Sequence, residues 1–157
     1  MTFRGTTTVK DKIFASLAYL LPLLDVKPFG DFLFAQFPAL KLIYLPLTPL
    51  LAIYNQQFVS LVVFFVLFLA VVRNEQIAHF IRFNVMQAIL IGIVLSLVGL
   101  AFQILGPVLG RSLLKETLYN IIFLGTLAAS FYSIIQSALG RYAEIPGISE
   151  ASYLQVR

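Results

Sequence analysis

The chain has 157 residues, 60% of them hydrophobic and only 11% charged, with a mean hydropathy of +0.94. A water-soluble domain carries about a quarter charged residues, so this chain has too little polar surface to cover a globule in water. The net charge of +4 is scattered, which suits orientation and lipid contact and not nucleic-acid binding, and zero cysteines exclude disulfides and thiolate metal sites. An all-α integral membrane protein is expected, a single domain over 1–157 with polar tails at 1–12 and 142–157.

In chain order, Met1–Lys12 holds Arg4, Lys10 and Lys12 and leads into the apolar run Ile13–Leu24. This has the look of a signal sequence, but Asp25-Val26-Lys27-Pro28 offers no small-residue cleavage site, so a retained tail is expected. No long Ser/Arg-rich transit segment is present, so the protein is expected to act where it is made or to be a mature form. As a helix Ile13–Leu24 is about 18 Å long against about 30 Å of hydrocarbon, and it crosses only if its flanks join in or the bilayer thins. Phe32–Tyr54 is long enough, but Pro38, Pro46 and Pro49 break it, and it carries Lys41 among many aromatics. That composition predicts an interfacial or re-entrant pair of short helices.

Phe58–Val72 is almost pure Val, Leu and Phe, with Ser60 as its polar exception, and predicts a lipid-facing span. Ile77–Leu105 follows, stopped by Gly106-Pro107, and then Leu118–Leu139, closed by Gly140-Arg141. The tail from Tyr142 to Arg157 is polar and expected to be exposed and mobile. Lys and Arg concentrate before the first run, in the 73–82 loop and after the last run. With those on one face of the bilayer, four transmembrane helices result, both ends inside and the 106–116 loop opposite.

Three polar stripes carry the candidate functional residues. On a continuous helix Arg73, Gln76, His79, Asn84 and Gln87 fall within about 140°, with Arg82 about 60° beyond His79. Glu75 and His79 are spaced i, i+4 for a charge-assisted contact. These residues are read either as interfacial anchors or as polar contacts inside the membrane, lining a conduit or joining helices. Catalysis by His79 is not expected, since no nucleophile or acidic partner motif accompanies it. Gly92, Ser96, Gly99 and Gln103 share an arc of about 60°, and Gly92-x-x-x-Ser96 is a small-xxx-small step that favours close helix packing. Thr126, Ser130, Ser133, Ser137 and Gly140 recur within about 80°, a hydroxyl row for packing or for facing water. No acidic residue lies inside the apolar runs as delimited above, which counts against an ion-coupled carrier. Phosphate-cradling, zinc-binding and nucleophile motifs are missing, so no enzyme and no cofactor is expected.

Val72-Arg73-Asn74 followed by His79-Phe80-Ile81-Arg82-Phe83-Asn84-Val85-Met86-Gln87-Ala88-Ile89 resembles the central motif of the 20-kDa subunit family of the Tic translocon, the protein import machinery of the chloroplast inner envelope. Leu17–Asp25 and Phe34-Ala35-Gln36-Phe37-Pro38 resemble it too, and the likeness spans roughly Asp11 to Ile148. The resemblance implies four membrane helices, both termini stromal or cytoplasmic, and a place in or next to a protein-conducting channel. Within that resemblance, the lack of a transit segment leads one to expect the cyanobacterial or plastid-encoded branch. The expected function is thus a translocon subunit whose partners are other membrane subunits or further copies of itself, the translocating polypeptide and the lipid bilayer, with no nucleic acid. Four helices enclose too little space for a peptide, so a homo-oligomer or partner subunits are needed. A small-solute or ion carrier and a non-conducting scaffold subunit are the alternatives.

Overall fold

The computed structural model describes residues 6–157, and every regular element among them is helical. Helix α1 (Val9–Ala18) opens on a capping box. The Asp11 amide donates to Thr8 Oγ1 at 3.2 Å and the Thr8 amide donates to Asp11 Oδ2 at 3.0 Å, so two orphan donors of the first turn are satisfied reciprocally. Pro22 lacks the N–H that would bond one turn back, and the helix is interrupted just there, at Tyr19. It resumes as α2 (Leu20–Val26), tightens to a 3₁₀ turn at Lys27–Gly30 around Pro28, and ends as α3 (Asp31–Gln36).

Together these pieces form one membrane-length unit, Val9–Gln36, of 28 residues. This corrects the sequence expectation that the first apolar run stops at Leu24. The helical path continues through Asp25, Lys27 and Asp31, and it absorbs the start of what was read as the second run.

The chain then arches through a 3₁₀ segment, Pro38–Ile43, into α4 (Thr48–Tyr54). Phe58 takes a left-handed conformation at φ 66°, rare for a residue with a Cβ, and redirects the chain into α5 (Val59–Val66). α5 continues as a π-helix, Leu67–Val72, and the Val59–Val72 helix lies at 95° to α4 across residues 55–58. No residue of α5 is fully buried, as its uniform oiliness leads one to expect.

Helices α6 (His79–Leu109, 31 residues) and α7 (Leu113–Ala138, 26 residues) are long and apolar enough to cross a bilayer. α6 begins two residues later than the apolar pattern and runs past Gly106-Pro107, where Pro107 forgoes one intrahelical hydrogen bond just before the helix ends at Leu109. α7 starts five residues early, because Ser112 caps it by accepting from the Lys115 amide at 3.2 Å. Among the described residues there are thus three candidate spans, or four if α4 and the Val59–Val72 helix count as one broken span.

α6 is the axis of the fold. It packs against α1, α2, the Leu67–Val72 π-helix, α7 and α8 (Ile148–Gln155), while α7 packs against α1, α2, the 27–30 turn and α3. The residues from Phe80 to Ile89 are all buried, whereas Ile93, Val94, Leu97, Leu100, Ile104, Leu105 and Val108 are exposed. The helix is therefore enclosed by protein over its first three turns and beyond them presents an exposed apolar face, with Ile91 and Leu95 still buried. The C-terminal tail corrects another expectation. It is folded onto α6 and not loose, with Ala143, Ser149, Ser152 and Val156 buried.

A buried polar core and an intramembrane carboxylate

The first three turns of α6 carry side-chain amides in an apolar surround, where each unpaired donor or acceptor costs free energy. Each finds a partner from another segment. Asn84 Oδ1 accepts from the Tyr19 hydroxyl at 2.6 Å and from Ser137 Oγ at 3.1 Å, and its Nδ2 donates to the Phe80 carbonyl at 2.8 Å. Gln87 Nε2 donates to Tyr19 Oη at 3.0 Å and to the Ala143 carbonyl at 3.1 Å, while Gln87 Oε1 accepts from Ser149 Oγ at 2.7 Å. Tyr19, Asn84, Gln87 and Ser137 have no exposed surface. One network thereby ties the first membrane unit, α6, α7 and the C-terminal tail.

Nearer the start of α6, His79 lies between the Tyr142 hydroxyl (Nδ1, 2.8 Å) and the Val156 carbonyl (Nε2, 2.9 Å). Phe83 packs against Tyr153 and Tyr142 with ring centres 4.5 and 5.0 Å apart. Arg82 is buried and its Nε donates to the Val72 carbonyl at 2.9 Å, capping the end of the π-helix as a cation should. Arg73 and Gln76 stand apart. They lie in the exposed loop before the helix, so the single stripe expected from Arg73 to Gln87 is realised only from His79 onward. Glu75 is in the same loop, and the helical i, i+4 relation to His79 is not formed.

In the hydroxyl row of α7, Thr126, Ser130, Ser133 and Ser137 are all buried. The row belongs to the α7 face packed on α1 and α2, where Ala15 and Ala18 are buried too, and Ser16 Oγ reaches the Ile134 carbonyl at 3.5 Å. Ser130 Oγ is without a hydrogen-bond partner among the described residues. Of the second stripe, Ser96 is exposed and bonds back to the Gly92 carbonyl at 2.9 Å, and Gly99 has Phe29 as its nearest neighbour. Among the described residues the first membrane unit approaches this face through Asp25 and Phe29.

Gly92 faces Asp25. A Cβ at Gly92 would lie 2.9 Å from Asp25 Oδ2, so the glycine makes room for the carboxylate. The Tyr54 hydroxyl donates to Asp25 Oδ1 at 2.7 Å, and the Tyr44 hydroxyl donates to the Leu23 carbonyl at 2.9 Å, pinning the 38–54 arch to the first membrane unit. An acidic side chain thus sits beside the middle of the longest apolar helix, which corrects the expectation that none lies deep in a membrane segment. Sequence reading missed it because the first run was ended one residue too soon. A cleft of about 840 Å³ separates α3 from the arch and is lined by Lys27, Asp31, Lys41, Thr48 and Asn55 among apolar neighbours. Among the described residues no three His, Asp or Glu side chains converge as a metal site would require.

Long apolar helices wrapped round a hydrogen-bonded polar network, with exposed leucine and isoleucine outside, define an α-helical membrane protein of several candidate spans. Residues 10–152 match the family model described as "Chloroplast import apparatus Tic20-like". The chain is 57% identical to a Tic20 family protein of Synechocystis, over the whole of this chain and 99% of that one. It is 35% identical to the Tic20 family protein Ycf60 of Gracilaria tenuistipitata, covering 95% of this chain and 76% of the relative. It is 31% identical to the Arabidopsis protein TIC 20-II, chloroplastic, covering 96% and 74%. This chain belongs to the Tic20 family.

Proposed function

We propose that this protein is a membrane subunit of a protein-conducting translocon, forming part of a conduit wall and carrying out no chemistry of its own. The observation that carries the reading is the family match across residues 10–152, which takes in the buried network. The geometry supports a shared conduit over a private one. The axis of the bundle is filled by Tyr19, Asn84, Gln87 and Ser137, so a passage wide enough for a polypeptide needs further subunits or copies. The cleft under the 38–54 arch adds charged and polar side chains, Lys27, Asp31, Lys41, Thr48 and Asn55, to an otherwise apolar surface beside the bundle. In this reading Val59–Val72 is the fourth crossing, the arch is re-entrant or interfacial, and both termini face the stroma or cytoplasm.

Two measurements test it. Purified protein, alone and with its co-purifying membrane partners, is reconstituted into planar bilayers, and photo-crosslinkers on the arch are challenged with a chain halted in transit. Conductance together with a crosslink supports the conduit, and absence of both refutes it. Because the chain has no cysteine, single cysteines replacing Arg111 and Arg157 report sidedness, and labelling of both from one face would refute the topology. A non-conducting scaffold is the second reading, favoured by the sealed core. The carrier alternative loses one objection, since Asp25 lies within a candidate membrane span.

A further inference from the structure

Asp25 stands in a setting that its own chain does not complete. A carboxylate at membrane depth is costly and is normally paired with a cation or turned to a water-filled space. Here its hydrogen-bond partner is the neutral Tyr54 hydroxyl, and among the described residues no lysine, arginine or histidine forms an ion pair with it. Two clefts meet at this side chain. One, of about 340 Å³, runs past Tyr54, Ser60, Gly92 and Ser96, and the other, of about 600 Å³, runs past Phe29, Ser96, Gly99 and Gln103. They share Asp25 and Ser96, so together they make one groove along α6. Its apolar rim is open, with Leu61, Ile93, Leu97 and Leu100 exposed by 38–62%.

We propose that this groove seats a transmembrane helix of a partner subunit carrying a single lysine or arginine near the bilayer midplane, with Asp25 as its counter-ion. The proposal rests on the reading that the chain works inside a membrane complex. Charge complementarity selects the occupant: an apolar channel with one unneutralised acceptor matches an apolar helix with one cation. Gly92, Ser96 and Gly99 lack bulk and let the backbones approach, and Gly92 also keeps Asp25 Oδ2 accessible from that side. A second copy of this chain matches less well. Lys10, Lys12, Arg82 and Lys115 lie near helix starts, and Lys27, the cation inside the first membrane unit, is half-buried and lines the cleft under the chain's own arch.

The test uses the full chain in lipid nanodiscs, labelled through Val108→Cys at an exposed site away from the groove. The probes are synthetic leucine–alanine transmembrane peptides with either lysine or leucine at the centre, labelled for energy transfer. The lysine peptide is expected to bind about tenfold more tightly than the leucine peptide. Asp25→Asn should abolish that preference, and Tyr54→Phe should retain it. Gly99→Leu fills the groove without touching Asp25 and should weaken both peptides, which keeps the test decisive if Asp25→Asn folds poorly. Equal binding of the two peptides, or a preference that survives Asp25→Asn, overturns the proposal. So does energy transfer between two labelled copies that Asp25→Asn removes, since a second copy would then be the occupant. No transport is measured, so failure here leaves the conduit to be judged by conductance and crosslinking.

Discussion

Asn84→Leu removes the acceptor shared by the Tyr19 and Ser137 hydroxyls in a site with no exposed surface. Ser137 can turn its proton to a carbonyl one turn back on its own helix, which limits its loss. Tyr19 keeps the bond that its oxygen accepts from Gln87, and its proton loses its Asn84 acceptor. Side-chain hydrogen bonds between membrane helices average about 0.6 kcal/mol and reach about 1.7 kcal/mol, while stranding a buried donor costs about 1–3 kcal/mol. The net loss is about 2 kcal/mol after leucine's own packing is allowed for. For a chain of this size that lowers the melting temperature by roughly 4–8 °C. Far-UV circular dichroism in mild detergent reads the shift, and a cycle with Tyr19→Phe should show that the two changes are strongly non-additive. A melting temperature within 1 °C of wild type, together with altered conductance, would refute the packing role and make Asn84 a lining residue.

Gly92→Ala and Gly99→Ala form a contrasting pair. A Cβ at Gly92 meets Asp25 Oδ2 at 2.9 Å and should cost about 1–3 kcal/mol, whereas at Gly99 the nearest atom is Phe29 Cζ at 3.9 Å, and the gain in helix propensity should make the change neutral or stabilising by up to about 1 kcal/mol. Thermal melts distinguish them. Ser130→Ala should leave stability unchanged or raise it, since its hydroxyl has no partner to lose, while Ser130→Leu should cost about 1–3 kcal/mol by overpacking the α1–α7 seam. Deleting residues 148–157 takes away Ser149, Tyr153 and Val156, with their contacts to Gln87, Phe83 and His79, and should destabilise by about 2–4 kcal/mol. Limited trypsin digestion should then cut faster at Arg141, and an unchanged digestion rate would contradict the packed tail.

Much of the architecture could be read from apolar run length, because lipid imposes a fixed thickness. The runs that became α5, α6 and α7 were recognisable for that reason. The first membrane unit was not, because its continuity past Leu24 depends on a 3₁₀ turn at Lys27–Gly30 that tolerates Pro28, and on Tyr44 and Tyr54 reaching back from the arch. Periodicity placed Asn84, Gln87 and the α7 hydroxyls on defined faces. It could not reveal that Tyr19 and Ser149 complete their hydrogen bonds, since those partners lie 68 and 62 residues from Gln87. The helical arc from Arg73 to Gln87 failed at one end because Ala78, with ψ 135°, sets the start of α6 at His79. The tail was misread because its serines and tyrosines look hydrophilic singly, yet they fold as a lid over a polar spot.

That lid has a consequence for how the protein matures. All the long helices are synthesised before residues 143–149 leave the ribosome, so the Gln87 amide must wait in the nascent bundle for its last two partners. An interrupted chain would present an unfinished amide at the centre of its helices, a mark by which membrane quality control could tell partial products from complete ones.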